Sequence, residues 1–182
     1  MSDCDTAPAF IGPEIEEING PLTREEGLGL QWVVEQQLPP GAKIVELGSF
    51  QGRSSITIAS ALAANGILYC VDYFSWSWDV LRTFMNNIKK FRVANKIRML
   101  IMGNDEAARE FADESLQMVF INANNNCESV KQDILQWGPK IKSGGLLVCH
   151  RCPRYPAVGK AIEALQMKGG LISGSLWCTQ KK

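Results

Sequence analysis

Residues 45–55, VELGSFQGRSS, decide how the rest of the chain is interpreted. They continue a short apolar run and bring Glu46 to the end of a predicted strand, before a turn that contains Gly48 and Gly52. Glycine lets the backbone turn tightly and approach a ligand closely. The Glu-x-Gly-x-x-x-Gly spacing differs from the G-x-G-x-x-G spacing of dinucleotide-binding loops. It therefore disfavours a nicotinamide-dependent oxidoreductase.

Apolar strands alternate with amphipathic helices along the chain. The predicted strands cover residues 42–48, 67–72, 96–103, 116–122 and 144–150. The predicted helices cover residues 21–38, 53–66, 79–93, 105–112, 127–138 and 157–167. This alternation is typical of an α/β fold with a doubly wound, mostly parallel sheet covered on both faces. Residues 170–180 supply either one or two further strands.

Composition predicts a soluble single-domain protein. The chain has 182 residues, of which 46% are hydrophobic and 21% are charged, and its 19 basic and 19 acidic residues cancel. No basic stripe is present, which disfavours duplex nucleic acid as a partner. The sequence contains neither a signal-peptide pattern nor an apolar run of about 20 residues that could span a membrane. We expect a cytoplasmic protein with an N-terminal extension (residues 1–21) and one domain (residues 22–182).

Six cysteines are present, and Cys149 and Cys152 form a Cys-x-x-Cys pair. In redox proteins the first thiol of such a pair sits at a helix N-terminus, whereas Cys149 ends an apolar run. A zinc site would need a second ligand pair of matching spacing, and the sequence offers none. We therefore interpret the pair as a buried strand thiol followed by a loop thiol.

The turn at 45–55 resembles the cofactor motif of class I S-adenosylmethionine-dependent methyltransferases. Asp72 strengthens the resemblance, because a carboxylate at the end of the second strand can accept both ribose hydroxyls. The block 113–150 is similar to the compact bacterial members, whose fourth strand usually ends Ile-Asp-Ala-Asp-His and whose fifth ends Gly-His-Asp-Tyr. The resemblance covers the chain from about Leu22 to Leu165. It implies a Rossmann-like fold and S-adenosyl-L-methionine as cofactor.

The resemblance also implies a set of cofactor-binding residues. These are Glu46, Gly48, Ser49, Gly52, Asp72, Tyr73, Asn104 and Asp105. The first four would line the methionine and ribose side, and the last two would lie near the adenine. The aromatic residues after Asp72, which include Tyr73 and Trp76, either cover the adenine and the substrate pocket or pack against helices.

Amides replace the acidic residues of the family in this chain. Asn122 and Asn124 stand at its two aspartates, Asn125 stands at its histidine, and Arg151 replaces the aspartate that follows His150. Hard divalent cations prefer charged oxygen ligands, and amide carbonyls alone bind them poorly. The sequence therefore predicts no metal site.

His150 is the one histidine of the chain and lies at the predicted site edge. A near-neutral base suits removal of a proton from a hydroxyl acceptor, so His150 and Asn122 are the catalytic candidates. A structural role is the alternative for both. Asn125, Arg151 and Trp76 are candidate substrate contacts, although Asn125 could cap a helix and Arg151 could face solvent.

Two functions remain open from the sequence. The first is a methyltransferase that methylates an oxygen of a small-molecule acceptor without a metal. The second is a catalytically inactive relative that binds the cofactor and acts in regulation or interaction. Exposed aromatic residues in the 73–78 loop would be compatible with a homodimer.

Overall fold

The computed structural model describes residues 12–75, 78–122, 126–152 and 156–182. Seven strands lie in these residues: β1 (Lys43–Leu47), β2 (Ile67–Val71), β3 (Ile97–Leu100), β4 (Leu116–Ile121), β5 (Ile141–Cys149), β6 (Gly170–Ser173) and β7 (Leu176–Gln180). The helices in these residues are α1 (Arg24–Gln37), α2 (Arg53–Ala61), α3 (Trp78–Lys90), α4 (Asn104–Ala107), α5 (Cys127–Trp137) and α6 (Pro156–Ala164).

The strands form one sheet in the order β3-β2-β1-β4-β5-β7-β6. The five strands β1 to β5 pair in parallel, whereas β7 pairs antiparallel with both β5 and β6. The predicted doubly wound α/β fold is confirmed, and the C-terminal segment supplies two strands. Strand order reverses between β1 and β4, and ligands bind beyond the strand ends at such a reversal.

Helices cover both faces of the sheet, which makes the inner strands almost continuously apolar. Helices α1, α2 and α3 pack on one face, where Leu30 and Phe84 are fully buried. Helices α4, α5 and α6 pack on the other face around the fully buried Trp137. In β1, every residue after Lys43 is buried, as expected for a parallel strand covered on both faces.

A capping box fixes the start of α1, as the sequence predicts. The Thr23 hydroxyl accepts a hydrogen bond from the backbone N–H of Glu26 at 3.2 Å. The Glu26 carboxylate accepts one from the backbone N–H of Thr23 at 2.9 Å. These bonds satisfy two backbone donors that a helix N-terminus leaves without intrahelical partners.

Several predicted boundaries differ from the structure by three or more residues, at the start of α1, at the ends of α2, α3, β3, α4 and α6, and at the start of β5. Helix α2 ends at Ala61 and not near Gly66, because Leu62 adopts an extended backbone conformation. Strand β5 begins at Ile141, three residues before the predicted start. Part of the predicted N-terminal extension also joins the core, since Ile15 and Ile18 are buried in it. In the described residues, no helix combines the length and apolar character needed to cross a membrane.

Replacing Trp137 by alanine should lower the free energy of unfolding by about 3–5 kcal/mol, because it empties a fully buried site in the core between β4 and α5. Trp32 is 52% exposed, so Trp32→Ala is the matched control and should change stability by less than about 1 kcal/mol. Denaturant titration measures both values. Equal effects of the two substitutions would contradict this packing.

Candidate functional site

A cleft of about 720 Å³ opens at the carboxyl edge of the sheet, where strand order reverses. Its size lies within the range of small-molecule and cofactor sites, about 300–1,000 Å³. The lining residues are Asn19, Gly20, Pro21, Gly48, Phe50, Val71, Asp72, Tyr73, Ser75, Met102, Asn104, Asn122 and Arg151. Six of them are site residues predicted from the sequence: Gly48, Asp72, Tyr73, Asn104, Asn122 and Arg151.

The loop between β1 and α2 forms one wall of the cleft. Gly48 has a φ of 86° and Gly52 has a φ of 94°, conformations that L side chains rarely adopt. The N–H of Gly48 donates to the carbonyl of Val71 at 2.9 Å, and the N–H of Gly52 donates to the carbonyl of Ser49 at 2.9 Å. The two glycines therefore set the path that brings the Gly48 backbone to the cleft.

Asp72 ties this loop to the end of β2. Its Oδ2 atom accepts hydrogen bonds from the backbone N–H groups of Ser49 and Phe50, each at 2.9 Å. Its Oδ1 atom accepts one from the N–H of Phe74 at 2.7 Å. A carboxylate oxygen has two acceptor positions, so Asp72 retains capacity for a ligand in the cleft.

Glu46 and Ser49 lie behind the loop and do not line the cleft. Glu46 is fully buried, and its Oε2 atom accepts hydrogen bonds from the hydroxyls of Ser49, at 2.8 Å, and Ser55. Burial raises the pKa of Glu46, against the opposing effect of hydrogen bonds from neighbouring serines. This buried cluster supports the loop from below, so a contact of Glu46 with a cofactor would be indirect.

The predicted adenine side is only partly brought together. Asn104 lines the cleft, and its Nδ2 atom donates to Oδ1 of the buried Asp133 at 3.0 Å. Asp105 turns to solvent beside Arg109, with 3.7 Å between Oδ2 and Nη2. Tyr73 lines the cleft but is 62% exposed. Phe74 instead packs in the core, with its ring centroid 5.1 Å from that of Phe84.

Asn122 lines the cleft and contacts His150, which lies beneath it. The Nδ2 atom of Asn122 donates to the carbonyl of Gly48 at 3.3 Å, and its Oδ1 atom lies 2.7 Å from Nδ1 of His150. On the other side of the ring, Nε2 of His150 lies 3.2 Å from Oε2 of Glu26. His150 is 3% exposed and is not among the lining residues.

Arg151 also lines the cleft. Its φ of 69° lies in the left-handed region, which is uncommon for residues other than glycine. It is the one cationic residue among the described lining residues. Trp76 and Asn125, the other predicted substrate contacts, lie outside the described residues.

Cys149 and Cys152 are both buried free thiols. Burial raises the pKa of each, and neighbouring Cys152, Cys178 and Asp133 raise that of Cys149 further. Thiols of this kind resist ionisation, which disfavours the nucleophilic chemistry of a redox pair. Within the part of the chain that the structure describes, no cluster of three His, Cys, Asp or Glu side chains is arranged to hold a metal ion.

Two groups of lining or supporting residues escape sequence reasoning. The segment 19–21 lines the cleft from the N-terminal part, which carries no motif. Glu26 contacts His150, yet the sequence marks it only as a helix cap because the two residues are 124 positions apart. Phe50 lies in the predicted turn after the first strand, and Met102 lies near the end of the predicted strand 96–103. Their position at the carboxyl edge of the predicted sheet was the available signal.

A family model described as a methyltransferase domain matches residues 45–152. This match includes the last three residues of β1, the glycine loop, Asp72 and the strand ends that carry Asn122 and His150. It covers more than half of the chain. The chain therefore belongs to this methyltransferase domain family, and the resemblance seen in the sequence is confirmed.

Solved structures share the fold. One is a protein from Klebsiella pneumoniae that is assigned as an O-methyltransferase. It matches with a TM-score of 0.74 at 14% identity, over 96% of this chain and 92% of that chain. The O-methyltransferase from Bacillus cereus in complex with SAH matches with a TM-score of 0.68 at 15% identity, over 92% and 86% of the two chains. At such identities the likeness concerns the fold alone.

The arsenite methyltransferase of Aquipseudomonas alcaligenes is 26% identical to this chain over 148 residues. The match covers 80% of this chain and 42% of that protein. This chain therefore spans less than half the length of that relative.

Gly52→Ala should lower the free energy of unfolding by about 2 kcal/mol, because an alanine is strained at the Gly52 φ of 94°. The alanine Cβ atom would also lie 3.1 Å from the Phe84 ring. Gly159→Ala in α6 is the control: its Cβ meets nothing within 4 Å, and it should raise stability by about 0.5–1 kcal/mol. Thermal or denaturant unfolding compares them. A neutral Gly52→Ala would contradict the strained loop.

Proposed function

We propose that this chain binds S-adenosylmethionine in the cleft and transfers its methyl group to an oxygen of a small acceptor without a metal ion. The observation that carries the proposal is the contact of Asp72 with the glycine loop at the point where the sheet order reverses. The family membership of residues 45–152 supports it, and so does the SAH complex of the Bacillus cereus protein.

The cleft residues fit an adenosyl cofactor. Gly48 exposes backbone without a side chain, and the Asp72 carboxylate, which already accepts three backbone hydrogen bonds, retains one acceptor position beside it for a ribose hydroxyl. Asn104 donates its amide N–H to Asp133, so its amide oxygen is available for a donor such as an adenine amino group. When bound, S-adenosylmethionine supplies an activated methyl group on a sulfonium sulfur.

The acceptor lies on the side of Asn122 and Arg151. Among the described lining residues, the charged side chains are Asp72 and Arg151, and neither a histidine nor a glutamate lines the cleft. A nearby cation favours the ionised form of an acidic group. The proposed acceptor therefore brings an oxygen that is ionised near neutral pH, such as a carboxylate or an acidic phenol, and Arg151 holds its charge.

His150 has a positioning role in this proposal. The prediction that it removes the acceptor proton requires a ring nitrogen with an accessible lone pair. The ring is buried, and its two nitrogens face Asn122 and Glu26. The chemistry then depends on alignment of the nucleophile and the methyl carbon, which contributes much of the rate in such reactions.

Asp72→Asn should weaken the affinity for S-adenosylmethionine about tenfold or more. The substitution removes the negative charge and replaces one carboxylate oxygen, an acceptor, by an amide nitrogen, a donor. Asp105→Asn is the matched control, since the Asp105 side chain is 61% exposed and pairs with Arg109. It should change the affinity by less than about twofold. Isothermal titration calorimetry with S-adenosylmethionine, S-adenosylhomocysteine and NAD gives the values. Tighter binding of NAD would refute the cofactor assignment.

Labelled methyl groups should reach a carboxylate or phenol acceptor at the same rate with and without a chelator. Arg151→Gln should raise the KM for that acceptor about tenfold, because a charge-assisted contact is lost. Arg82→Gln is the control, because Arg82 pairs with Asp79 on the exposed face of α3. Arsenite, the acceptor named for the Aquipseudomonas relative, belongs in the same panel. A requirement for added magnesium would contradict the metal-free proposal.

The buried state of His150 favours a second candidate, a cofactor-binding relative without turnover that serves in regulation or interaction. This candidate predicts tight binding of S-adenosylmethionine and no transfer to any acceptor in the panel. The calorimetric and transfer experiments together separate it from the first.

A further inference from the structure

Glu26, His150 and Asn122 form a continuous chain of side-chain contacts under the cleft. Glu26 lies in the first turn of α1, His150 follows β5, and Asn122 follows β4. Glu26 and His150 are each 3% exposed. The chain ends at the Gly48 carbonyl, in the loop that forms one wall of the cleft. These contacts connect Glu26, in the capping box of α1, to the loop between β1 and α2 through the residues that follow β5 and β4.

We propose that Glu26 is a positioning residue: it holds His150 as an imidazolium, and the imidazolium fixes the Asn122 amide so that its N–H donates to the Gly48 carbonyl. Only the effect on cofactor affinity rests on the proposed function. The protonation state of His150 is independent of it.

Donor and acceptor requirements determine the proton positions. The Gly48 carbonyl can only accept, so the Asn122 atom that faces it is the amide nitrogen. The amide oxygen then faces the His150 ring at 2.7 Å, and Nδ1 must carry a proton to donate to it. On the other side, Nε2 faces the Glu26 carboxylate at 3.2 Å and also needs a proton to donate. A ring that donates from both nitrogens carries a positive charge.

The surroundings of Glu26 favour its ionised form. Its Oε1 atom accepts from the backbone N–H of Ser175, at 2.9 Å, and from the Ser175 hydroxyl, at 2.5 Å. Its Oε2 atom accepts from the N–H of Thr23 at 2.9 Å as well as facing His150. Burial alone would raise the pKa of Glu26. The bonds from Ser175 and Thr23 and the charge of His150 outweigh burial and lower it to about 2.

A neutral pair is the competing arrangement, with the proton on Glu26 and a bare Nε2 on the ring. It would place a carboxylic hydroxyl where Oε2 already receives the N–H of Thr23. It would also weaken the two bonds from Ser175, since acceptors in ionised groups form stronger hydrogen bonds. Three donors besides the ring converge on this carboxyl group, and they therefore favour the charged pair.

The consequence for the cleft follows from the Asn122 amide. A neutral ring carries one proton, on either nitrogen. In the tautomer that keeps this proton on Nε2, the bare Nδ1 would repel the amide oxygen, and the amide could rotate its oxygen towards Gly48. Two carbonyl oxygens would then face each other, and the loop would lose the donor that holds it. The ion pair thus prevents a rotation that would release the loop wall.

Nitrogen-15 spectra of the full chain test the protonation state directly, because the chain contains one histidine, provided that no histidine tag remains. At pH 7.5 both ring nitrogens should give the signals of protonated nitrogen. A bare Nε2 or a bare Nδ1 would overturn the proposal. This result does not depend on whether the protein binds S-adenosylmethionine.

Glu26→Gln tests the positioning role, and Thr23→Ala is its control. Thr23→Ala removes the capping hydroxyl but leaves the Glu26 carboxylate and its contact with His150. Both substitutions should lower the melting temperature. Only Glu26→Gln should make the ring neutral, shift the Ser49 and Phe50 amide signals in the cofactor-free protein, and weaken S-adenosylmethionine binding about threefold to tenfold.

Unchanged loop signals in a folded Glu26→Gln variant with a neutral ring would refute the positioning role. If that variant does not fold, Asn122→Ala decides the same point. It removes the donor to Gly48 and should shift the same two amide signals, and unchanged signals would again refute the role. Absence of S-adenosylmethionine binding by the unaltered protein would contradict the proposed function but leave the ring assignment standing.

Discussion

The Asp72 carboxylate is the contact on which the candidate site depends. It accepts hydrogen bonds from three backbone N–H groups. Two belong to Ser49 and Phe50 in the loop after β1, and the third belongs to Phe74, which follows β2. Backbone N–H groups without partners are costly to bury, so this one side chain stabilises a loop that contains several left-handed residues. The glycines permit the loop path, and Asp72 together with the buried Glu46 cluster fixes it.

Much of the fold is predictable from the sequence because its signals are local. Alternating apolar runs mark β1 to β5, and the capping box at Thr23 marks the start of α1. The strands of the C-terminal hairpin have four and five residues and are separated by two, so periodicity alone cannot count them. The residues up to Gly66 are compatible with a helix in composition, so the sequence does not mark the extended Leu62 at which α2 ends.

The site is less predictable, because several of its contacts join distant residues. The sequence places Asp72, Gly48 and Asn122 at one edge, and the structure brings these three together around the cleft. The sequence cannot show that Glu46 accepts hydrogen bonds from buried serines. It also cannot show that Glu26 contacts His150, which is 124 residues away. The role of Glu26 in its own helix conceals the tertiary contact, since the local pattern already accounts for the residue.

Asn122 shows what an amide achieves at a position where the resemblance in the sequence implies an acid. A carboxylate at this position would direct an oxygen at the Gly48 carbonyl, and the two would repel each other. The amide instead presents a donor to Gly48 and an acceptor to His150. Loss of a charged oxygen that could bind a cation is thus accompanied by gain of a bridge between two strand ends.

The contact between Glu26 and Ser175 spans 149 residues and joins the first long helix to the last turn of the sheet. During synthesis, the carboxylate can serve its own helix as soon as α1 forms, but its remaining partners emerge only with β5 and the hairpin. Strand β7 lies between β5 and β6 in the sheet and follows both of them in the sequence. The edge of β5 that pairs with β7 therefore stays open during synthesis until residues 176–180 have left the ribosome.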